Sequence, residues 1–141
     1  MKMPSRGSIK LRQTVNEYCR LHDLAPFEVS RLYDLQRDYR QPYPNGNKSG
    51  VYVIYSEQGD YIGKASLLGP RLSAHFVWNN ERRMLVPTMK RWGDTPPRYV
   101  QTVATRHAYE APSLEEYLIL KLRPRKNRLK ASGSGSEVSL I

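Results

Sequence analysis

Cysteine is all but missing from the 141 residues: Cys19 stands alone, so no disulfide can close within the chain and no thiolate cluster can hold a metal. No apolar run approaches the ~18 residues needed to cross a bilayer. The polar, basic residues 1–10 have no apolar segment behind them, as a secretory signal would. A membrane is therefore not an expected partner, and a reducing, cytoplasmic setting is the expected location. Acidic residues are scarce too. Against 23 Lys and Arg stand 13 Asp and Glu, a net charge of +10. A small domain with that imbalance draws polyanions, because each phosphate it neutralises releases condensed counterions. Nucleic acid is the partner expected first. An anionic membrane surface would need an apolar face opposite a basic one, and none is present; a merely soluble basic protein is the plainer alternative.

The length suits one domain with a real core plus a short extension. Leu11, Val15, Tyr18 and Cys19 recur at helical spacing, with Arg12, Glu17 and Arg20 outside that stripe, which predicts a helix over 8–22. Pro26 suits the first turn of a second helix, running to about residue 40 with Leu32, Leu35 and Tyr39 inward. Residues 41–49, QPYPNGNKS, read as a loop and mark the best boundary. It separates an N-terminal helical extension, 1–45, from a core at 50–130. There GVYVIYS (50–56) and YIGKA (61–65) are rich in β-branched and aromatic residues and flank a turn, so they predict a hairpin. Helical patterns follow at 68–78 and 80–92. The second carries Arg82, Arg83, Lys90 and Arg91, the cations expected to bind nucleic acid. Thr95-Pro96-Pro97 ends it, 98–106 alternates like a third strand, and Ala111-Pro112-Ser113 opens a last helix that stops before Pro124. The Gly/Ser-rich tail 131–141 is expected to be disordered.

Three groups of residues carry possible chemistry. A turn at Gln58-Gly59 would pair Ser56 with Tyr61, Ile54 with Gly63 and Tyr52 with Ala65, and paired residues point to one face. Tyr52 and Tyr61 would then share a face, with Gly63 leaving a gap between them. The plainer alternative is two tyrosines packing in a sheet. Arg71 and His75 lie four apart, hence side by side on a helix: a planar fork of donors for phosphate beside a group that moves a proton near neutrality. A solvated helix face is the alternative. In the last helix, Ser113 as N-cap would complete an S-x-x-E capping box with Glu116. Glu115 would then sit at the border of the stripe Leu114, Leu118 and Leu122. A carboxylate there is costly without a cation, which makes Glu115 the candidate metal ligand and Glu116 a cap.

Together these residues resemble the GIY-YIG nuclease family, the fold of excision-repair incision subunits and of some homing and restriction endonucleases. Gly50-Val51-Tyr52 stands for the first signature and Tyr61-Ile62-Gly63 for the second. Lys64-Ala65 follows, with Arg71, His75, E-x-x-L-I from Glu115 and P-x-x-N ending at Asn127. The resemblance covers roughly 50–127. It implies an α+β fold, a small three-stranded antiparallel sheet flanked by helices, here with the N-terminal helical extension. It also implies a Mg²⁺- or Mn²⁺-dependent endonuclease acting on DNA, with no small-molecule cofactor. Tyr52, hydrogen-bonded to His75, would take the proton of the attacking water. Tyr61, Arg71 and Lys64 would hold the phosphate, Glu115 the metal, and Gly50, Gly63 and Asn127 would support the site. One such site nicks one strand, so a homodimer is among the expected partners. The stretch 78–97 reads as a family-specific insertion.

Two further readings belong beside this one. EYCRLHDLAPFEVSRLYDL loosely resembles a helix-turn-helix that would place Phe27, Ser30 and Arg31 near base edges, against two helices that only brace the core. The whole could also be a non-cutting nucleic-acid-binding module of the same fold, or a nuclease toxin or effector.

Overall fold

A computed structural model of the chain describes residues 1–127, every side chain among them except that of Lys90. The chain runs through α1 (Ser5–Leu21), β1 (Glu28–Val29), β2 (Tyr33–Asp34), β3 (Gly50–Tyr55), β4 (Tyr61–Ala65) and α2 (Leu68–His75). It continues through β5 (Phe76–Asn79), β6 (Met84–Pro87), a 3₁₀ turn (Lys90–Trp92), β7 (Tyr99–Ala104) and α3 (Glu110–Leu122). The fold is α+β, as the sequence predicts. Three long strands lie antiparallel in the order β7-β3-β4, and β1 and β2 both pair with the outer side of β7.

All six residues of β3 are buried, as are all six of β7, because both faces of the sheet are covered. Alternation sorts them. Val51, Val53 and Tyr55 point into a core closed by α1 and α3, through Leu11, Val15, Leu114 and Leu118. Tyr52 and Ile54 point into a second core, closed by Leu68 and Leu72 of α2 and by Phe76, Met84 and Trp92. Each fully buried Leu in these layers contributes about 1.5–3 kcal/mol. Polar ties fasten α1 to α3: the Tyr18 hydroxyl donates to Ser113 Oγ at 2.8 Å and the Tyr117 hydroxyl donates to the Glu17 carboxylate. Cys19 is buried in this layer as a free thiol. No helix among the described residues is long and apolar enough to cross a membrane.

The structure corrects several expectations. Residues 26–40 do not form a second helix, so the helix-turn-helix reading falls. The unpaired edge of β7 recruits this segment instead. The Ser30 N–H donates to the Thr102 carbonyl (2.8 Å), Ser30 Oγ accepts from the Thr102 N–H (2.9 Å), and the buried Gln101 amide donates to the Ser30 carbonyl (2.7 Å). Propensity loses to those long-range bonds. Residues 80–92 do not form a helix either, and the helix expected over 68–78 ends at His75; β5 and β6 make a separate hairpin. Its turn is stabilised by Asn79, whose side chain accepts the Arg82 N–H and whose carbonyl accepts the Arg83 N–H, both at 2.8 Å. Lastly, α3 starts at Glu110, so Ser113 lies inside the helix and no Ser113–Glu116 capping box exists. Glu110 closes that end by accepting the His107 N–H at 2.7 Å. The tail 131–141 lies outside the described residues.

The β2–β7 corner is tied by Asp34, which receives Arg98 through two bonds, 2.7 and 3.0 Å. It also accepts the Gln36 N–H at 2.9 Å. Burial alone would raise the Asp34 carboxyl, but the Arg98 contact and the Gln36 and Arg37 N–H groups outweigh it and hold it below the usual carboxylate range. A depressed folded-state pKa adds stability above the unfolded value, near 3.9, that is lost as pH falls through the folded one. Asp34→Asn is therefore expected to cost about 2–3 kcal/mol at pH 7. Thermal melts should show the gap from wild type narrowing as pH drops below about 4.

Candidate active site

β3 and β4 pair with Tyr52 opposite Gly63 and Ile54 opposite Tyr61. The register expected from a turn at Gln58-Gly59 is thus corrected by two positions. The bend centres on Glu57-Gln58, where Ser56 Oγ accepts the Gln58 N–H and donates to the Gly59 carbonyl. A slip of two keeps every side chain on its face, so Tyr52 and Tyr61 do share one, their ring centres 6.3 Å apart. Gly63 leaves no gap between them. The Tyr52 ring fills that space, and a Cβ on Gly63 would overlap its Cζ and Oη.

From α2, His75 Nε2 lies 2.7 Å from Tyr52 Oη. Arg71, one turn earlier, lines the same cleft. The helix stops at His75 because Phe76 turns to extended backbone and begins β5. The hairpin then comes back to the same place: Thr88 donates its N–H to the His75 carbonyl at 2.8 Å, and its hydroxyl donates to the Ala74 carbonyl at 3.1 Å. Just beyond, the Arg91 guanidinium stacks on Tyr61, 4.4 Å from the ring centre. The Arg91 carbonyl accepts Lys126 Nζ at 2.9 Å. Arg91 Nη1 is buried without a hydrogen-bond partner among the described residues.

Lys64 and Glu115 reach the cleft from the other side of the sheet. β4 is an edge strand, and Lys64 points to the α3 face, where its Nζ lies 3.4 Å from Glu115 Oε1. The Glu115 side chain is 15% exposed, so it sits at the rim rather than in open solvent. Asn127 occupies the free edge of β4. Its amide accepts the Ile62 N–H and donates to the Ile62 carbonyl, both at 2.9 Å, completing the strand as a neighbour would. The result is a cleft of about 410 Å³ wrapped over that edge and lined by Tyr52, Tyr61, Lys64, Arg71, Glu115 and Asn127.

Charge inside the cleft follows from this packing. Burial and the nearby Tyr61 raise the Tyr52 phenol, with Arg71 opposing, so Tyr52 is protonated at rest. Burial, Arg91 and Arg71 together push His75 below the value of a free imidazole, so it is neutral near pH 7. A protonated phenol thus meets a neutral imidazole across one hydrogen bond. Among the described residues no group of three or more His, Cys, Asp or Glu is placed to hold a metal. The cleft offers one carboxylate, which suits a hard divalent cation that keeps its waters and takes further oxygens from a phosphate, and does not suit zinc, which wants a fuller protein shell.

Tyr52, Tyr61, Lys64, Arg71, His75, Glu115 and Asn127 are therefore neighbours, as their motif order suggests. Gly50 lies where β3 meets β7, and a Cβ there would strike the Val103 carbonyl. Arg82 and Arg83 are exposed at the β5–β6 turn, away from any helix face, whereas Arg91 sits in the site itself. The Lys90 side chain lies outside the described residues. Thr88 and Lys126 escape a reading of the sequence; each acts through a bond to a distant carbonyl, and no local pattern announces that.

Comparison with known proteins identifies the family of this domain. Residues 48–129 match the family model described as the GIY-YIG catalytic domain. The UvrABC system protein C of Protochlamydia amoebophila is 33% identical over 82 residues, 57% of this chain and 13% of that protein. Its namesake from Chlamydia muridarum is 39% identical over 83 residues, 57% and 13%, and that from Syntrophotalea carbinolica 38% over 88 residues, 60% and 13%. The chain thus spans a small part of the length of these relatives. No solved structure matches it significantly.

Gly63→Ala tests the packing directly. The variant should fold with a lowered Tm and with Tyr52 displaced from His75. Imidazole nitrogen chemical shifts of His75 should then lose the signature of the hydrogen bond.

Proposed function

The chain belongs to the GIY-YIG family, and on that footing we propose that it is a divalent-metal-dependent endonuclease that hydrolyses phosphodiester bonds in DNA. The observation that carries the proposal is the 2.7 Å bond between Tyr52 and a neutral His75, set in a cleft that also holds two cations and one rim carboxylate.

Tyr52 accepts the proton of the attacking water as it passes its own proton to His75 Nε2, in the tautomer that carries hydrogen on Nδ1. The relay answers a real difficulty, because a buried phenol is a weak base unaided. His75 supplies the sink, kept empty by Arg71 and Arg91. Arg71 presents its guanidinium fork to the phosphate oxygens, and Lys64 adds a second positive charge while directing the Glu115 oxygen towards the cleft. Tyr61, stacked under Arg91, fixes the phosphate or the water. Asn127 and Gly63 keep β4 in place, and neither reacts. Glu115 would hold Mg²⁺ or Mn²⁺, which when bound stabilises charge on the phosphate and the leaving oxygen. With one such centre a monomer nicks one strand, and cutting both calls for a second copy or a second event.

Supercoiled plasmid should be nicked with Mg²⁺ or Mn²⁺ and left intact with chelator. Tyr52→Phe is expected to bind DNA with near-native affinity and to lose about 10²–10⁴-fold in turnover, the usual contribution of a general base. Arg71→Ala should fall at least as far. A purified Glu115→Ala protein that cleaves at the wild-type rate would overturn the metal-site assignment. A catalytically complete wild type that binds yet never nicks would favour the non-cutting module.

The pH–rate profile checks the relay. Because burial, Arg91 and Arg71 depress His75, the acid limb of the single-turnover rate should lie below the free-imidazole value of about 6.5. An acid limb above the free-imidazole value would contradict a neutral acceptor.

A further inference from the structure

The β5–β6 hairpin has no role in the relay, yet its tip carries two adjacent arginines. Arg82 and Arg83 are exposed there, with Arg40 close by on the neighbouring segment. Arg83 also adopts φ +53°, in the left-handed region that glycine or asparagine occupies at little cost. Gly at that place would relieve the backbone, so the arginine there contributes nothing to the turn's stability. Behind the tip, Trp78 packs against Tyr39 with ring centres 4.3 Å apart, and the Arg40 guanidinium lies 5.4 Å from the centre of the Tyr39 ring.

We infer that the β5–β6 hairpin is a duplex-DNA-reading element that enters the major groove beside the phosphate to be cut. The inference rests on the nuclease reading and narrows its substrate class to double-stranded DNA. Dimensions favour it: a two-stranded ribbon fits a B-form major groove about 12 Å wide and about 8.5 Å deep, and four-residue strands of about 13 Å reach its floor. Single strands are bound by several aromatic faces open to successive bases; here Trp78 is the hairpin's one exposed aromatic, with Tyr39 packed against it and Arg40 over Tyr39. An RNA duplex hides its major groove in a deep, narrow cleft. Position favours it as well, since β5 begins one residue after His75 and β6 is latched back to the His75 carbonyl by Thr88.

The test uses the whole chain in chelator, with labelled 20-base-pair duplex and single-stranded DNA of the same sequence, read by fluorescence anisotropy across a salt series. The double variant Arg82→Ser/Arg83→Gly retains both tip hydrogen bonds, which come from backbone N–H groups. It should weaken duplex binding about 10- to 100-fold and reduce the slope of log Kd against log salt by about 2, one for each phosphate no longer neutralised. Single-strand affinity should change far less. Arg83→Gly alone should raise Tm while weakening duplex binding, a combination that damage to the fold cannot produce. Unchanged duplex affinity and slope, equal losses on duplex and single strand, or no duplex binding by wild type would each overturn the inference. Because binding is measured without metal, the two readings fail separately. A wild type that never cuts, paired with a double variant that loses duplex binding, sinks the nuclease and keeps the reader; a wild type that cuts, paired with a double variant that binds normally, does the reverse.

Discussion

The site depends on one close approach, the Tyr52 ring lying against the backbone of Gly63. Cross-strand neighbours normally hold each other apart by their Cβ atoms, at about 4.5–5.5 Å. Removing one Cβ lets the phenol lie down over β4 and carries its hydroxyl to the strand's outer edge, where Arg71 and His75 can meet it. A small side chain at 63 would send the phenol elsewhere, and the cleft would lose its centre while the sheet survived. Asn127 matters for the same reason. It satisfies the Ile62 backbone groups that an edge strand leaves open, so β4 stays flat against β3 without a further strand that would bury the site.

Electrostatics then follow from crowding. The chain's +10 charge is more than a long-range attraction to phosphate. Burial, reinforced by Arg91 and Arg71, holds His75 neutral, while Lys64 pairs with the rim carboxylate of Glu115. Arg71 and Lys64 stay open to solvent, whereas one Arg91 nitrogen is buried without a hydrogen-bond partner among the described residues. A phosphate arriving between them would exchange repulsion among cations for attraction to an anion, a difference that acts on substrate rather than on the empty protein.

How much of this can be read from residues alone depends on distance along the chain. The 3.6-residue stripe of Leu11, Val15, Tyr18 and Cys19, the β-branched runs at 50–55 and 61–65, and the Tyr52, Tyr61, Arg71, His75 and Glu115 order are local or motif-borne, and all are legible. The hairpin register slips by two because the turn is set by Ser56 Oγ bonds and not by the Gly59 position. Parity survives the slip, which is why the two tyrosines still come together. Residues 26–40 look helical to any window, and only β7, seventy residues on, offers the edge that draws them out into strands. The 76–87 hairpin is harder to see than it should be, although Phe76-Val77-Trp78 and the Asn79-Asn80 pair are strand and turn residues in plain view.

The return of the chain at Thr88 to the carbonyl of His75 has a consequence for how such a protein can change. Departure and return of the 76–87 excursion are pinned to one residue, so its two ends are already closed before anything between them is specified. Lengthening or replacing the material between adds only the slowly growing cost of a longer loop, and the imidazole keeps its anchor throughout. Only the material around the 79–83 turn is in that sense exchangeable, because Phe76 and Met84 stay tied to the core that seats Tyr52.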